Sequence, residues 1–186
     1  MSNEKTIQNA LHNWRLKMNH PFISPNATLP SGEADLLSVT KAGFVYEHEI
    51  KISRADFKND FKHKEEKHVW MRDAKKLKGE CLRHVFSNQR WLRNTKAVPL
   101  HCPNYFIYVC PKDLIAVKEV PEYAGLAFWL PNTQGFEHLW RFGRIQVVKE
   151  PPRLHSEKIT KNRMEKLAIS MMYRYWNYRL KDSAVL

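Results

Sequence analysis

The segment YFIYVC at residues 105–110 is an unbroken apolar run, stopped by Pro111. A run of that kind reads as a strand buried on both faces, and such a strand needs covering from two sides. LIAVKEV at 114–120, GLAFWL at 125–130 and RIQVVKE at 144–150 come next at strand length with turn residues between them. To bury their faces they must pair with an earlier hairpin: one strand over residues 34–40, the turn KAG, and a second strand over 44–53.

The second strand of that hairpin raises a chemical question. Alternate residues share a face of a sheet, so Glu47, Glu49 and Lys51 point one way, while Phe44, Tyr46, His48, Ile50 and Ile52 point the other. One face reads as core and the other as chemistry. With the turn at residues 41–43, Asp35 on the first strand lies close to Glu49 across the ladder. Two carboxylates brought together in a partly buried site repel, and a hard cation relieves them. Mg2+, or Mn2+ in its place, suits two acids plus water and phosphate oxygens. Lys51, two residues beyond Glu49 on the same face, is placed to hold a water or to stabilise charge developing on a phosphate. The alternative is an ordinary wet sheet face that these residues decorate.

Elsewhere the pattern is plainer. Residues 6–18 carry Ile7, Leu11, Trp14 and Met18 at helical spacing, and residues 19–33, rich in Pro, Asn and Ser, read as a loop. The last segment, about 157–181, is a helix with Met164, Ala168, Met171, Tyr175 and Tyr178 on one stripe, expected to cover the sheet or, less directly, to form a dimer contact. At 186 residues and 43% hydrophobic content the chain is one domain, 1–186, with a proper core. No apolar run approaches a membrane span and the first residues lack a signal-peptide pattern, so no membrane association and a cytoplasmic location are expected.

Charge is the strongest compositional signal. The formal net charge is +12, and residues 51–96 hold 14 Lys and Arg against 6 Asp and Glu, so 14 − 6 = +8 lies in one basic helical stretch of about 56–100. A polyanionic partner, DNA above all, is the expectation. Phe57, Phe61, Trp70, Phe86 and Trp91, interleaved there, are candidates for base stacking or for the core. Three cysteines suggest thiols rather than a disulfide framework. Cys81, His84, His101 and Cys102 have a composition zinc accepts, at a spacing that matches no standard finger, and His63 and His68 are five apart, unsuited to one helix face.

The text around the hairpin carries a resemblance. Ala34–Asp35, then EIK at 49–51, then SRADFKND, resembles the PD-(D/E)xK nuclease superfamily, especially bacterial DNA-repair and phage-encoded members in which the E-x-K strand runs into Ser-Arg-x-Asp-Phe and a basic helix. PNYFIYVCP, VPEYAGLAFW and VVKEPPRLH extend the likeness over most of residues 33–155. The resemblance implies an α/β (α+β) fold with a restriction-endonuclease-like core, a small mixed sheet flanked by helices, expanded here by the basic helical insertion. It implies Asp35, Glu49 and the Ile50 carbonyl as metal ligands, Lys51 as the catalytic lysine, and hydrolysis of DNA phosphodiesters in repair, recombination or phage DNA processing. Arg54, Lys58, Lys62 and Lys64 on the next helix, capped by Ser53, then contact the DNA backbone. Dimers are frequent among similar nucleases, so a homodimer is compatible. Two departures stand out: Ala34 replaces the usual proline, and the first helix offers only Glu4 at its edge, or Gln8, where many relatives carry a metal-assisting glutamate. A DNA-binding protein without cleavage on the same fold is the alternative, and docking on an acidic protein surface a third reading.

Overall fold

The computed structural model describes residues 3–29, 32–76, 102–132 and 141–183. Four helices and six strands are described: α1 (Glu4–Lys17), β1 (Phe22–Leu29), β2 (Gly32–Val39), β3 (Val45–Ile50), α2 (Arg54–His63), α3 (Glu65–Lys76), β4 (Tyr105–Pro111), β5 (Ala124–Leu130), β6 (Arg144–Lys149) and α4 (Lys161–Ser183). The strands form a single sheet in sequence order, β1 to β6. Its centre, β3 to β4 to β5, is parallel, and the flanking pairs are antiparallel. The result is a mixed α+β architecture with a six-stranded mixed sheet flanked by helices.

The apolar run at 105–110 is the centre of this sheet, and it is buried on both sides as its composition requires. Phe106, Tyr108 and Cys110 pack with Phe57, Trp70, Met71 and Leu126 under α2 and α3. Ile107 and Val109, on the opposite face, pack with Ile7, Leu11, Leu36, Ile50 and Trp129 under α1. Asn3 starts α1 by accepting a hydrogen bond from the Thr6 amide at 2.8 Å, and Ile7, Ala10 and Leu11 give it a buried stripe.

Three sequence expectations change. Residues 22–29 are a strand rather than loop, because β1 is an edge strand, where Pro25 opposite Leu36 breaks no ladder that a further strand needs. Residues 114–120 are a turn ending in the short 3-10 helix Val117–Glu119 rather than a strand. The C-terminal helix touches the sheet through a different stripe from the expected one. Leu167 is buried against Ala27 and Leu37, whereas Ala168, Met171, Tyr175 and Tyr178 are exposed. Arg174 secures this contact by donating to the Pro25 carbonyl at 3.1 Å.

The approach to α4 is clasped by Asn104. Its side-chain oxygen accepts from the Val45 amide at 2.7 Å, and its amide nitrogen donates to the carbonyls of His155 and Glu157 at 3.0 and 2.7 Å. Of the basic stretch, α2 and α3 are the described part, and its remainder, 77–100, lies outside the described residues. None of the described helices is long and apolar enough to cross a membrane.

Candidate active site

The face carrying Glu47, Glu49 and Lys51 is not wet. Their relative exposures are 0%, 1% and 4%, so the ordinary solvated-face reading fails. α2 and α3 cover these residues and supply their counter-charges. Ser53 caps α2 by accepting from the Asp56 amide at 3.1 Å, as its position predicts, and this sends the helix back across the end of β3.

The β2–β3 register sets Leu36 opposite His48, which brings Asp35 to the end of β3. There the Asp35 Oδ2 accepts the Ile50 amide at 2.5 Å. Asp35 and Glu49 both line one cleft of about 250 Å³, together with Ile50, Lys51, Asp60 and Lys64. Burial and then the charge of Glu49 raise the Asp35 carboxyl from 3.8 to about 7. The three motif side chains therefore converge, as do the expected ligand positions.

Glu49 is surrounded by ammonium groups. Lys51 donates to its Oε1 at 3.0 Å, Lys67 to its Oε2 at 2.9 Å, and Lys64 bonds Oε1 as well. Burial alone would raise its carboxyl, but Lys67, Lys51 and Lys64 outweigh that and lower it. Lys51 reaches Asp60 Oδ1 at 2.8 Å in addition. Burial disfavours its charge, yet Glu49 and Asp60 prevail, and its pKa is raised. Lys67, buried between Glu47 and Glu49, is raised for the same reason.

Asp60 is the residue that sequence reasoning misses. Its side chain is fully buried and accepts from Lys51, from Tyr108 Oη at 2.9 Å, and faces His68 Nε2 at 2.9 Å. Burial raises its carboxyl, but the His68 and Lys51 bonds dominate and hold it far below the ordinary carboxylate range. His68 in turn meets Tyr123 Oη at 2.9 Å through Nδ1. The available signal was spacing: Asp60, Lys64, Lys67 and His68 share the inward side of α2 and α3 with Phe57 and Met71, charged residues on an otherwise apolar stripe.

The other candidates separate. Arg54 is held by Glu119, with Nη2 to Oε1 at 2.5 Å, and by the Leu114 carbonyl. Lys58 and Lys62 are exposed on the outer side of α2, away from the cleft lining, while Lys64 lies inside it. Phe57 and Trp70 are buried and Phe61 packs against the same cluster, so these aromatics belong to the core. Phe86, Trp91, Cys81, His84 and His101 lie outside the described residues. Cys102, the remaining member of that zinc set, is a buried thiol that burial pushes up to about 12. His63 lines the cleft, and His68 is spent on Asp60.

Glu4, the acid at the edge of the first helix, lines the same cleft as Asp35 and Glu49. Gln8 instead donates to the Asp35 carbonyl at 2.7 Å and to Asn26 Oδ1 at 2.9 Å, supporting the backbone. Among the described residues, no three or more His, Cys, Asp or Glu side chains are grouped so as to hold a metal by themselves. The donor set is nonetheless all oxygen and includes two mutually repelling acids. That fits a hard cation such as Mg2+, which takes one or two carboxylates and keeps several waters. On the far face of β3, Arg15 lies buried, donating to His48 Nε2 at 2.9 Å. The His48 Nδ1 therefore carries the proton and donates to the Leu36 carbonyl.

No protein-family model and no curated protein matches the chain. Among solved structures, a protein of unknown function from Silicibacter pomeroyi is similar, with a TM-score of 0.55 and 12% identity over 97% of this chain and 90% of that one. At that identity the likeness concerns the fold alone, which the two chains share along nearly their whole lengths.

Proposed function

We propose that the chain is a metal-dependent deoxyribonuclease of the PD-(D/E)xK type with a restriction-endonuclease-like core, hydrolysing DNA phosphodiesters in repair, recombination or phage DNA processing. The observation that carries this reading is the convergence of Asp35 and Glu49 on one open cleft with the Lys51 ammonium beside them. Asp35, Glu49 and the Ile50 carbonyl would hold Mg2+ or Mn2+, which when bound supplies Lewis acidity toward the phosphate and lowers the pKa of water.

The chain's own groups divide the remaining work. Lys51, held charged by Glu49 and Asp60, is unfit to remove a proton at neutral pH, so its role is to donate hydrogen bonds to the attacking water or to the phosphate oxygens as charge builds. Asp60 is a positioning residue that aims Lys51 into the cleft. Lys58 and Lys62 supply exposed positive charge for the DNA backbone, whose contribution falls with salt.

Incubating supercoiled, linear and branched DNA with Mg2+ or Mn2+ tests the reading. Cleavage lost in Asp35→Ala and Lys51→Ala is the expected result, and cleavage retained in both refutes it. Binding without cleavage by the wild-type chain favours the second reading, a DNA-binding protein, which the complete lysine neutralisation of Glu49 keeps in view.

A second copy of the chain fits the outer face of α4. Ile169, Tyr173, Trp176 and Leu180 are each at least 50% exposed and recur at spacings of 4, 3 and 4. An antiparallel pair sets Ile169 against Leu180 and Tyr173 against Trp176. With Met172 this covers on the order of 600 Å² per copy, the lower end of stable interfaces. Sedimentation of wild type as a dimer and of Trp176→Glu as a monomer supports the pairing; a monomeric wild type at micromolar concentration rejects it.

A further inference from the structure

We infer that Lys64 is a built-in placeholder for the metal ion, an ammonium that neutralises the acids while the cleft is empty of cation and leaves when one binds. The inference rests on the metal site proposed above. Of the three ammoniums on Glu49, Lys51 and Lys64 share Oε1, the oxygen on the cleft side, so a cation held there by Glu49 and Asp35 would take the place of one of these two. Lys51 is fixed between Glu49 and Asp60 with its side chain 5% exposed, and Lys67 is fixed between Glu47 and Glu49 at 2%. Lys51 reaches the cleft but is pinned there between two buried acids, and Lys67 is buried outside the cleft lining.

Lys64 is more open than either. Its side chain is 33% exposed, it lines the cleft shared with Asp35, and it bonds Glu49 Oε1 on the open side, with Asp60 Oδ1 at 3.4 Å. It is the C-cap residue of α2, immediately before α3 begins, so its stem rises from the break between helices and not from the middle of one. Rotation of that stem moves the ammonium toward the cleft mouth without disturbing the core. The exchange replaces one positive charge by two at the acids and delivers a free ammonium to the place where a phosphate backbone would enter.

The test uses the full chain without DNA. Mn2+ binding is measured by calorimetry for wild type, Lys64→Met, Lys64→Gln and, as a net-charge control, Lys166→Met on exposed α4. Removing the competing ammonium is expected to tighten Mn2+ binding about twofold to fivefold, the factor a partly exposed ion pair is worth, in both Lys64 variants and not in the control. Independently, acylation of wild-type lysines read by mass spectrometry should show Lys64 several-fold more reactive once Mn2+ is added, with Lys51 and Lys67 protected throughout. Mn2+ binding that is unchanged or weaker in the Lys64 variants, or Lys64 labelling that Mn2+ leaves unaltered, overturns the placeholder while the metal site stands. Absence of Mn2+ binding in wild type and variants alike removes the metal site and the placeholder with it.

Discussion

Asp35→Asn is expected to make the metal-free protein more stable, although it removes a proposed ligand. The Asp35 carboxyl rises from 3.8 to about 7 because it is buried and faces Glu49. A carboxyl with a raised folded-state pKa holds its proton longer in the folded chain than in the unfolded one. Stability is therefore lost as pH rises from about 3.8 to about 7, and the full penalty applies above that. Unscreened, the difference amounts to about 4 kcal/mol; because Asp35 is partly open to solvent, about 2 kcal/mol is the realistic share. Asn carries no charge, and its carbonyl keeps the hydrogen bond from the Ile50 amide. In EDTA at pH 8 the variant should melt about 5 °C higher, with the gap closing toward acid pH. Below pH 6.5 both proteins weaken together, since His20, His48 and His155 are buried neutral by desolvation and take up protons only on unfolding. Thermal scans from pH 5 to 8.5 decide the matter. A variant no more stable than wild type at pH 8, or an advantage that does not vary with pH, refutes the electrostatic argument.

The packing leads to three further outcomes. Asp60→Ala strands Lys51 and the Tyr108 hydroxyl in the interior and should cost about 3–5 kcal/mol in urea titration, with Asp60→Asn milder because its carbonyl still accepts. Gly125→Ala places a methyl 2.8 Å from the Pro151 nitrogen and 2.9 Å from the Lys149 carbonyl, both backbone, so a loss of about 1–3 kcal/mol is expected at the β5–β6 crossing. Cys102 and Cys110, whose thiols burial pushes up to about 12, should resist iodoacetamide at pH 8 in the folded chain and react on unfolding.

The sheet centre and the convergence of Asp35, Glu49 and Lys51 were legible because both depend on period-two alternation and hairpin register, which local sequence encodes. β1 was not, since an edge strand tolerates the Pro25 and Asn26 that ordinarily mark a loop. The burial of the Glu47, Glu49 and Lys51 face was equally hidden. It depends on α2 and α3 folding back with Lys64 and Lys67, a long-range event that strand alternation does not report. Asp60 was invisible for a related reason: on a charged helix, a single acid aimed inward looks like the outward ones. The stripe on α4 was misplaced by one position because that helix is apolar on more than one side, so periodicity alone selects no face.

Asn104 ties the beginning of β3 to the stretch leading into α4. During synthesis that stretch and the helix that lies along β1 emerge after every strand has been made. Until then the edge of the sheet is bare and the clasp has one hand empty, so a ribosome-bound chain ending before residue 150 should be open to proteases at β1 and β2. The stretch from His155 into α4 acts as the latch of this domain, and truncations that spare every proposed site residue would still leave β1 uncovered.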